Sequence, residues 1–120
     1  MKLTAAEEQL MQYIWELKTA YTKDIVGKYP QPKPAPTTIS TLLKRLNEKG
    51  FITYNINGTS RQYTALIKKE DFYAKQSKLF VEETFGGSLP RFLAAFTRNK
   101  KLNSKEVEEL QKLIDEHRED

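Results

Sequence analysis

Apolar residues recur every three or four positions over much of this chain, a spacing typical of helices that bury one face. The first half contains three such stretches, which predict helices near 5–18, 22–29 and 36–49. Thr4 and Glu7 stand at the spacing of a capping box before the first helix, and Thr22 is a candidate cap for the second. The pattern therefore predicts three consecutive helices at the start of the chain.

After the third helix the sequence changes to residues that favour strands. Two such runs, 51–56 and 61–66, flank the dipeptide Asn57-Gly58. Asn-Gly is the strongest short signal for a hairpin turn, because both residues tolerate a positive φ. Three helices followed by a hairpin is the order of a winged helix-turn-helix domain, which we predict for residues 1–70.

Residues 71–120 return to helical spacing. Helices are predicted over 70–85, after the candidate cap Ser88, and after a capping box of Asn103 and Glu106. Three short helices bury little apolar surface within one chain, whereas a second copy would cover their exposed faces. We predict a helical dimerisation region, with packing onto the first domain as the alternative. Its candidate interface residues are Phe72, Leu79, Phe80, Phe92, Phe96, Leu110, Leu113 and Ile114. The predicted fold class is mainly α with a small β-hairpin (α+β).

A proline at every second position separates the second and third predicted helices, from Pro30 to Pro36. The proline ring and its missing donor exclude a continuous helix through this run. We interpret the run as a stiff connector that aims the third helix, with a ligand for proline-recognition domains as the alternative. Pro36 suits the first position of the third helix, and Gly50 suits the position just after its end.

The composition of the 120-residue chain argues against catalysis and metal binding. It contains no cysteine and one histidine, His117, near the end, which excludes thiol chemistry and the usual zinc sites. No apolar run approaches the roughly 20 residues of a membrane span, and no signal peptide is recognisable. We therefore expect a non-enzymatic, cytoplasmic protein without cofactor, bound metal or direct membrane binding.

The net charge of +4 is concentrated in the first half of the chain. Residues 1–70 carry 11 Lys or Arg and 6 Asp or Glu, whereas residues 71–120 carry 9 and 10. A basic first domain indicates an anionic partner, such as nucleic acid.

The third predicted helix exposes short hydroxyl-bearing side chains, which are poor helix formers and therefore indicate another role. In a winged helix-turn-helix domain this helix enters the major groove, where short polar side chains lie close to the base edges. Basic side chains would neutralise phosphates, and the hairpin would form the wing beside the DNA backbone. The candidate DNA-binding residues are Thr37, Thr38, Ser40, Thr41, Lys44, Arg45 and Arg61.

The basic candidates also have purely structural interpretations. Lys44 and Lys49 are compatible with ordinary solvated charges. Arg45 is placed to pair with Glu48 on the same helix, and Arg61 to stabilise the hairpin edge. The alternative function is accordingly a winged-helix adaptor that binds another protein and has no specific affinity for DNA.

Several runs of this sequence match the motifs of one known family. They are Leu3-Thr4-Ala5-Ala6-Glu7, Met11, Ile14-Trp15, Thr38-Ile39-Ser40-Thr41-Leu42-Leu43-Lys44-Arg45-Leu46, Lys49-Gly50-Phe51-Ile52, Arg61-Gln62-Tyr63, Ser77-Lys78, Phe85-Gly86-Gly87, Leu102 and Glu106-Val107-Glu108-Glu109-Leu110. Through them the chain resembles the penicillinase repressor family, the BlaI/MecI/CopY group, over nearly its whole length. The resemblance implies a homodimeric transcriptional repressor that binds a palindromic operator with its winged helix and dimerises through its C-terminal helices.

The resemblance also implies how repression ends. In the penicillinase and methicillin-resistance branch, a membrane sensor protease that detects β-lactams drives cleavage of an Asn-Phe bond in the dimerisation region. That bond aligns with Ala95-Phe96 here, where the phenylalanine matches and the asparagine is replaced. The copper-responsive branch uses paired cysteine motifs, and their absence from this chain excludes copper sensing by that route.

Overall fold

The structure is a computed structural model that describes residues 2–119. Its elements are α1 (Ala5–Leu17), β1 (Thr19–Tyr21), α2 (Thr22–Lys28), α3 (Pro36–Glu48), β2 (Ile52–Asn57), β3 (Ser60–Ala65), α4 (Lys69–Phe85), α5 (Leu89–Thr97) and α6 (Ser104–Glu116). The predicted mainly α fold with a small hairpin is confirmed, and a third strand joins the hairpin. The chain divides into two compact units on either side of the Ala74–Lys75 bond, within α4.

Side-chain caps mark the starts of α1, α5 and α6. The capping box before α1 is confirmed: Thr4 Oγ1 accepts from the Glu7 amide at 3.2 Å, and Glu7 Oε1 accepts from the Thr4 amide at 2.8 Å. The prediction of Thr22 as a cap is wrong, since Thr22 is already the first residue of α2. Because β1 leads directly into α2, the extended residue before the helix is Tyr21. Its amide donates to Asp24 Oδ2 at 3.0 Å.

The core of the first unit lies between the three helices and the sheet. Fully buried aliphatic residues contribute about 2 kcal/mol each to its stability. The large apolar side chains less than 2% exposed are Leu10, Met11, Ile14, Ile25, Ile39, Leu43, Leu46 and Ile52. Trp15 packs against this core, and its indole donates to the Ile67 carbonyl at 2.9 Å, which ties α1 to the chain that leaves the hairpin.

The sheet is antiparallel, with the strand order β1-β3-β2. Asn57 is the last residue of β2 and pairs with Ser60, so the turn residues are Gly58 and Thr59 and not the predicted Asn57 and Gly58. The strands lie within one residue of the predicted positions. Gly58 adopts a φ of 68°, which favours glycine. The additional strand β1 has three residues, too few to show an alternating pattern.

Phe72 requires a correction to the predicted dimerisation set. It is 3% exposed, and its ring lies 5.6 Å from the ring of Trp15 and 5.9 Å from that of Phe51. The first turns of α4 therefore complete the core of the first unit. Because this side chain is already covered within its own chain, we remove Phe72 from the proposed dimer interface.

The proline-rich connector is held against the end of α2. Lys33 Nζ donates to the carbonyl oxygens of Val26, Gly27 and Tyr29, the last at 2.7 Å. A lysine at this position satisfies carbonyl groups that a helix end leaves without partners. This arrangement supports the interpretation of the run as a connector. The predicted start of α3 is confirmed, since the helix begins at Pro36.

Glu7 links the start of α1 to the end of α3. Its side chain is fully buried, and Oε1 lies 2.7 Å from Lys49 Nζ. Burial disfavours its charge, but hydrogen bonds from Lys49 and Thr4 outweigh burial, so the pKa of Glu7 lies below its ordinary value of 4.5. The Glu7 carboxylate therefore stabilises the fold in its ionised form.

We expect Glu7→Gln to lower the free energy of unfolding at pH 7 by about 1–2 kcal/mol. A folded-state pKa below the unfolded one gives stabilisation that is present above the unfolded value and is lost as the pH falls through the folded pKa. The wild type should therefore lose more stability than Glu7→Gln between about pH 5 and pH 3. Urea unfolding across this range measures the difference. Glu16→Gln, in an exposed ion pair with Lys28, is the matched control. Equal acid sensitivity of Glu7→Gln and the wild type would contradict this account.

Candidate nucleic-acid interface

The helix α3 separates its residues cleanly between a buried and an exposed face. Its apolar residues Ile39, Leu42, Leu43 and Leu46 are buried. All six DNA-binding candidates on this helix are exposed: Thr37, Thr38, Ser40, Thr41, Lys44 and Arg45. The core thus holds α3 by one side and leaves the hydroxyl-bearing side open to a partner.

One of these hydroxyl groups is already engaged. Thr41 Oγ1 donates to the Thr37 carbonyl at 2.9 Å, one turn earlier in the helix. Its proton is therefore used within the helix, while the oxygen lone pair and the methyl group stay available. Thr41 is better suited to accept a hydrogen bond or to touch an apolar group than to donate.

An open cleft of about 810 Å³ lies between α3, the wing (the β2–β3 hairpin) and the start of α2. Ser40 and Lys44 of α3 line it together with Arg61 of the wing. The cleft therefore brings together three of the predicted DNA-binding residues. Thr37, Thr38, Thr41 and Arg45 are not among its lining residues.

The guanidinium of Arg61 rests on an aromatic surface. Its Cζ atom lies 4.4 Å from the centroid of the Tyr54 ring, a cation–π distance. The Tyr54 ring lies 5.6 Å from the ring of Tyr63, which is buried. A hydrogen-bond interaction with Tyr63, followed by the charge effects of Tyr54 and Tyr63, raises the pKa of Arg61 above its ordinary value.

The cleft also contains residues that sequence reasoning missed. Lys23, in the first turn of α2, adds a third cation to the lining. The sequence does contain a signal for Lys23, which is its place in the helix before α3. In helix-turn-helix domains this helix crosses the DNA backbone, where a cation can contact phosphate. Tyr21 also lines the cleft, and its hydroxyl accepts from Asn57 Nδ2 at 2.6 Å. Because the two residues are 36 positions apart in the chain, no local sequence pattern predicts this contact.

The second unit exposes a large share of its apolar side chains. Phe80, Phe96, Leu113 and Ile114 are each about half exposed. Phe92 lies among aromatic neighbours, with its ring 5.7 Å from that of Phe85 and 6.3 Å from that of Phe96. Leu79 and Leu110 are half-buried. Apart from Phe72, the residues predicted for dimerisation thus lie in a unit with little core of its own.

The bond between Ala95 and Phe96 lies in the last turn of α5. Thr97 Oγ1 donates to the carbonyl oxygens of Leu93 at 2.8 Å and Ala94 at 3.2 Å, which reinforces this turn. The predicted cleavage site is therefore helical, whereas the segment after Thr97 lies outside the helix. The next helix, α6, opens with the predicted capping box of Asn103 and Glu106.

No helix within residues 2–119 combines the length and apolar character needed to cross a membrane. Over the same residues, no cluster of three His, Asp or Glu side chains is placed to hold a metal ion.

An exposed polar helix beside a basic hairpin defines the first unit as a winged-helix DNA-binding domain. It resembles the solution structure of the DNA-binding domain of the repressor BlaI, with a TM-score of 0.52 and 28% identity over 58% of this chain and 87% of that one. The sequence model described as Penicillinase repressor matches residues 3–116, so the chain belongs to the penicillinase repressor family. That family consists of transcriptional repressors, not enzymes.

Two repressors of known name are similar to this protein over nearly its whole chain. The methicillin resistance regulatory protein MecI of Staphylococcus aureus (strain N315) is 31% identical over 114 residues, 94% of this chain and 93% of the relative. The penicillinase repressor of Staphylococcus aureus is 30% identical over 117 residues, 97% of this chain and 93% of the relative.

Proposed function

We propose that this protein is a homodimeric transcriptional repressor that binds a palindromic operator through α3 and the wing. The observation that carries the proposal is the cleft in which Ser40, Lys44 and Arg61 converge beside the exposed face of α3. Family membership and the names of the repressor relatives support it. The cations facing this cleft favour a polyanion over the protein partner of an adaptor.

The predicted residues divide into two roles on this proposal. Thr37, Thr38, Ser40 and Thr41 lie on the helix that enters the major groove and contact base edges or nearby phosphates. Lys44, Arg45 and Arg61 contact phosphates, which raises the affinity for any sequence and makes it depend on salt.

A second copy of the chain is the proposed partner of α5 and α6. The half-exposed Phe96, Leu113 and Ile114 are the kind of surface that an isologous interface covers. A symmetric dimer presents two copies of α3 to successive major grooves, about 34 Å apart, and so requires a palindromic site. The affinity of the pair then exceeds that of one domain, because the second contact forms at a high effective concentration.

Proteolysis in the second unit is the proposed route of relief, with a membrane sensor protease as the further partner and a β-lactam-type signal as the trigger. Cleavage of the Ala95–Phe96 bond would separate α6 from the DNA-binding domain and remove its share of the dimer surface. Because the bond is in a helical turn, the last turn of α5 must open before a protease can bind it. Because its proposed target is DNA, we place the protein in the cytoplasm.

The test is a binding titration with DNA from upstream of the protein's own gene, across a range of salt concentrations and with a scrambled competitor. We expect two-fold symmetric protection and an affinity that falls steeply with salt. Six to ten phosphate contacts would lower the affinity by about 10³–10⁵ between 50 and 200 mM salt. If neither that fragment nor sites elsewhere in the genome bind better than the competitor, the repressor proposal is overturned.

A further inference from the structure

The strand register places five side chains on the same face of the hairpin, from the core to the tip of the wing. They are Ile52, Tyr54 and Ile56 of β2 and Arg61 and Tyr63 of β3. Ile52, Tyr54 and Ile56 alternate along β2, and Tyr54 pairs with Tyr63 while Ile56 pairs with Arg61. Side chains of directly paired residues in an antiparallel sheet project from the same face. Ile52 and Tyr63 are buried at the base, whereas Ile56 and Arg61 are exposed at the tip. Tyr54 therefore stands between the fixed core and the exposed cation.

Two ring contacts connect Arg61 to the core, in addition to its hydrogen-bond interaction with Tyr63. Tyr63, 6% exposed, is immobilised by the core, and its ring lies 5.6 Å from that of Tyr54. Tyr54 in turn presents its ring to the guanidinium at 4.4 Å from the centroid. A free arginine side chain loses much rotamer freedom when it binds, and a contact that restricts it beforehand reduces that loss.

The cleft offers Arg61 no acidic side chain as a partner. None of the side chains that line the cleft is a carboxylate. Within residues 2–119, neither Arg61 nor Lys44 has an ion-pair partner. Lys44 of α3 and Arg61 of the wing both line the same open cleft. Phosphate suits this arrangement, because a guanidinium in a fixed orientation binds two of its oxygens and an ammonium adds a point charge.

We propose that the cleft receives one phosphate of the DNA backbone between Lys44 and Arg61, and that Tyr54 is the positioning residue that orients Arg61 for this contact. The proposal rests on the proposed function, since it takes DNA as the partner. It adds a role for Tyr54, which lines the same cleft and acts on the phosphate through the guanidinium of Arg61. The contact uses the face of the ring, so the phenol oxygen of Tyr54 is dispensable.

The test compares Tyr54→Phe, Tyr54→Leu, Arg61→Gln and the double variant Tyr54→Leu/Arg61→Gln with the wild type. Each is titrated against a random-sequence duplex and against the upstream fragment, because a phosphate contact does not depend on base sequence. Thr53→Ala, an exposed change at the neighbouring position of β2, is the matched control.

We expect Tyr54→Phe and Thr53→Ala to bind within about twofold of the wild type, and Tyr54→Leu to bind about three- to fivefold more weakly. Arg61→Gln should weaken binding further and reduce the salt slope by about one. The double variant should bind no more weakly than Arg61→Gln, because Tyr54 acts through Arg61. Additive losses, or equal losses in Tyr54→Phe and Tyr54→Leu, would overturn the positioning role.

A second measurement keeps the proposal testable if Tyr54→Leu does not fold. The Arg61 side-chain protons should show ring-current shifts in NMR spectra of the free wild type and of Tyr54→Phe. Their absence would overturn the proposal. Wild-type binding to the random duplex alone, with the expected variant pattern, would support the phosphate site while rejecting the operator. Wild-type binding to neither DNA would reject both.

Discussion

Replacing Thr41 by glutamate is expected to lower operator affinity by about 100-fold or more. Thr41 is exposed on α3, in the helix proposed to lie in the major groove. On this proposal, a carboxylate at position 41 would face the phosphates and base edges, so the variant would lose the contact made by Thr41 and would repel the phosphates. One lost base contact alone is worth about 1–3 kcal/mol. Fluorescence anisotropy with the labelled upstream fragment at about 0.15 M salt measures the change.

Two companion variants make this result specific. Gln9→Glu makes the same change in net charge at an exposed position of α1 and should bind as the wild type does. Thr41→Val keeps the shape and a methyl group, and it removes a hydroxyl whose proton is already donated to Thr37, so we expect a smaller loss than with glutamate. Unchanged binding by Thr41→Glu would favour the protein-adaptor function over DNA recognition.

Leu113→Asp combined with Ile114→Asp is expected to convert the proposed dimer to a monomer and to weaken operator binding by about 100-fold or more. Both side chains are more than half exposed in the single chain, at 52% and 56%, so the change removes little intramolecular packing. Two carboxylates in an apolar interface would have to lose their hydration without partners, which strongly opposes association. Light scattering after size exclusion reports the oligomeric state, and the operator titration reports the affinity.

The matched control for this variant is Gln111→Asp combined with Lys112→Gln. It changes the net charge by the same amount on the same helix, at two exposed polar positions. This control should remain dimeric and bind like the wild type. If the Leu113/Ile114 variant also stays dimeric, α6 does not form the interface and the proposed route of relief loses its basis.

Local chemistry makes several elements predictable from the sequence. Thr4 with Glu7, and Asn103 with Glu106, form their capping boxes in the structure because each bond joins residues three apart. The start of α3 at Pro36 follows from the proline ring itself. The amphipathic spacing of α3 is equally informative, since it separates the buried stripe of the helix from its exposed DNA-binding candidates.

The wrong predictions share a different origin, which is contact between distant parts of the chain. Thr22 has the spacing of a cap only if the chain before it is a loop, and β1 forms there because it pairs with β3 some forty residues later. The helical spacing of Phe72 is compatible with a dimer interface. Its burial instead depends on Trp15 and Phe51, which the sequence does not place beside it.

The helices, the hairpin, the basic character of the first domain and the polar face of α3 all follow from the order of residues alone, because they depend on the period of apolar positions, on caps and on charge. Folding in three dimensions was needed to bring Lys23 together with Lys44 and Arg61 around one cleft, and to seat the guanidinium of Arg61 on Tyr54. The cleft forms where α2, α3 and the wing meet, and the contact between Arg61 and Tyr54 lies beside it. Their geometry is set by core packing between residues far apart in the chain, which no local pattern records.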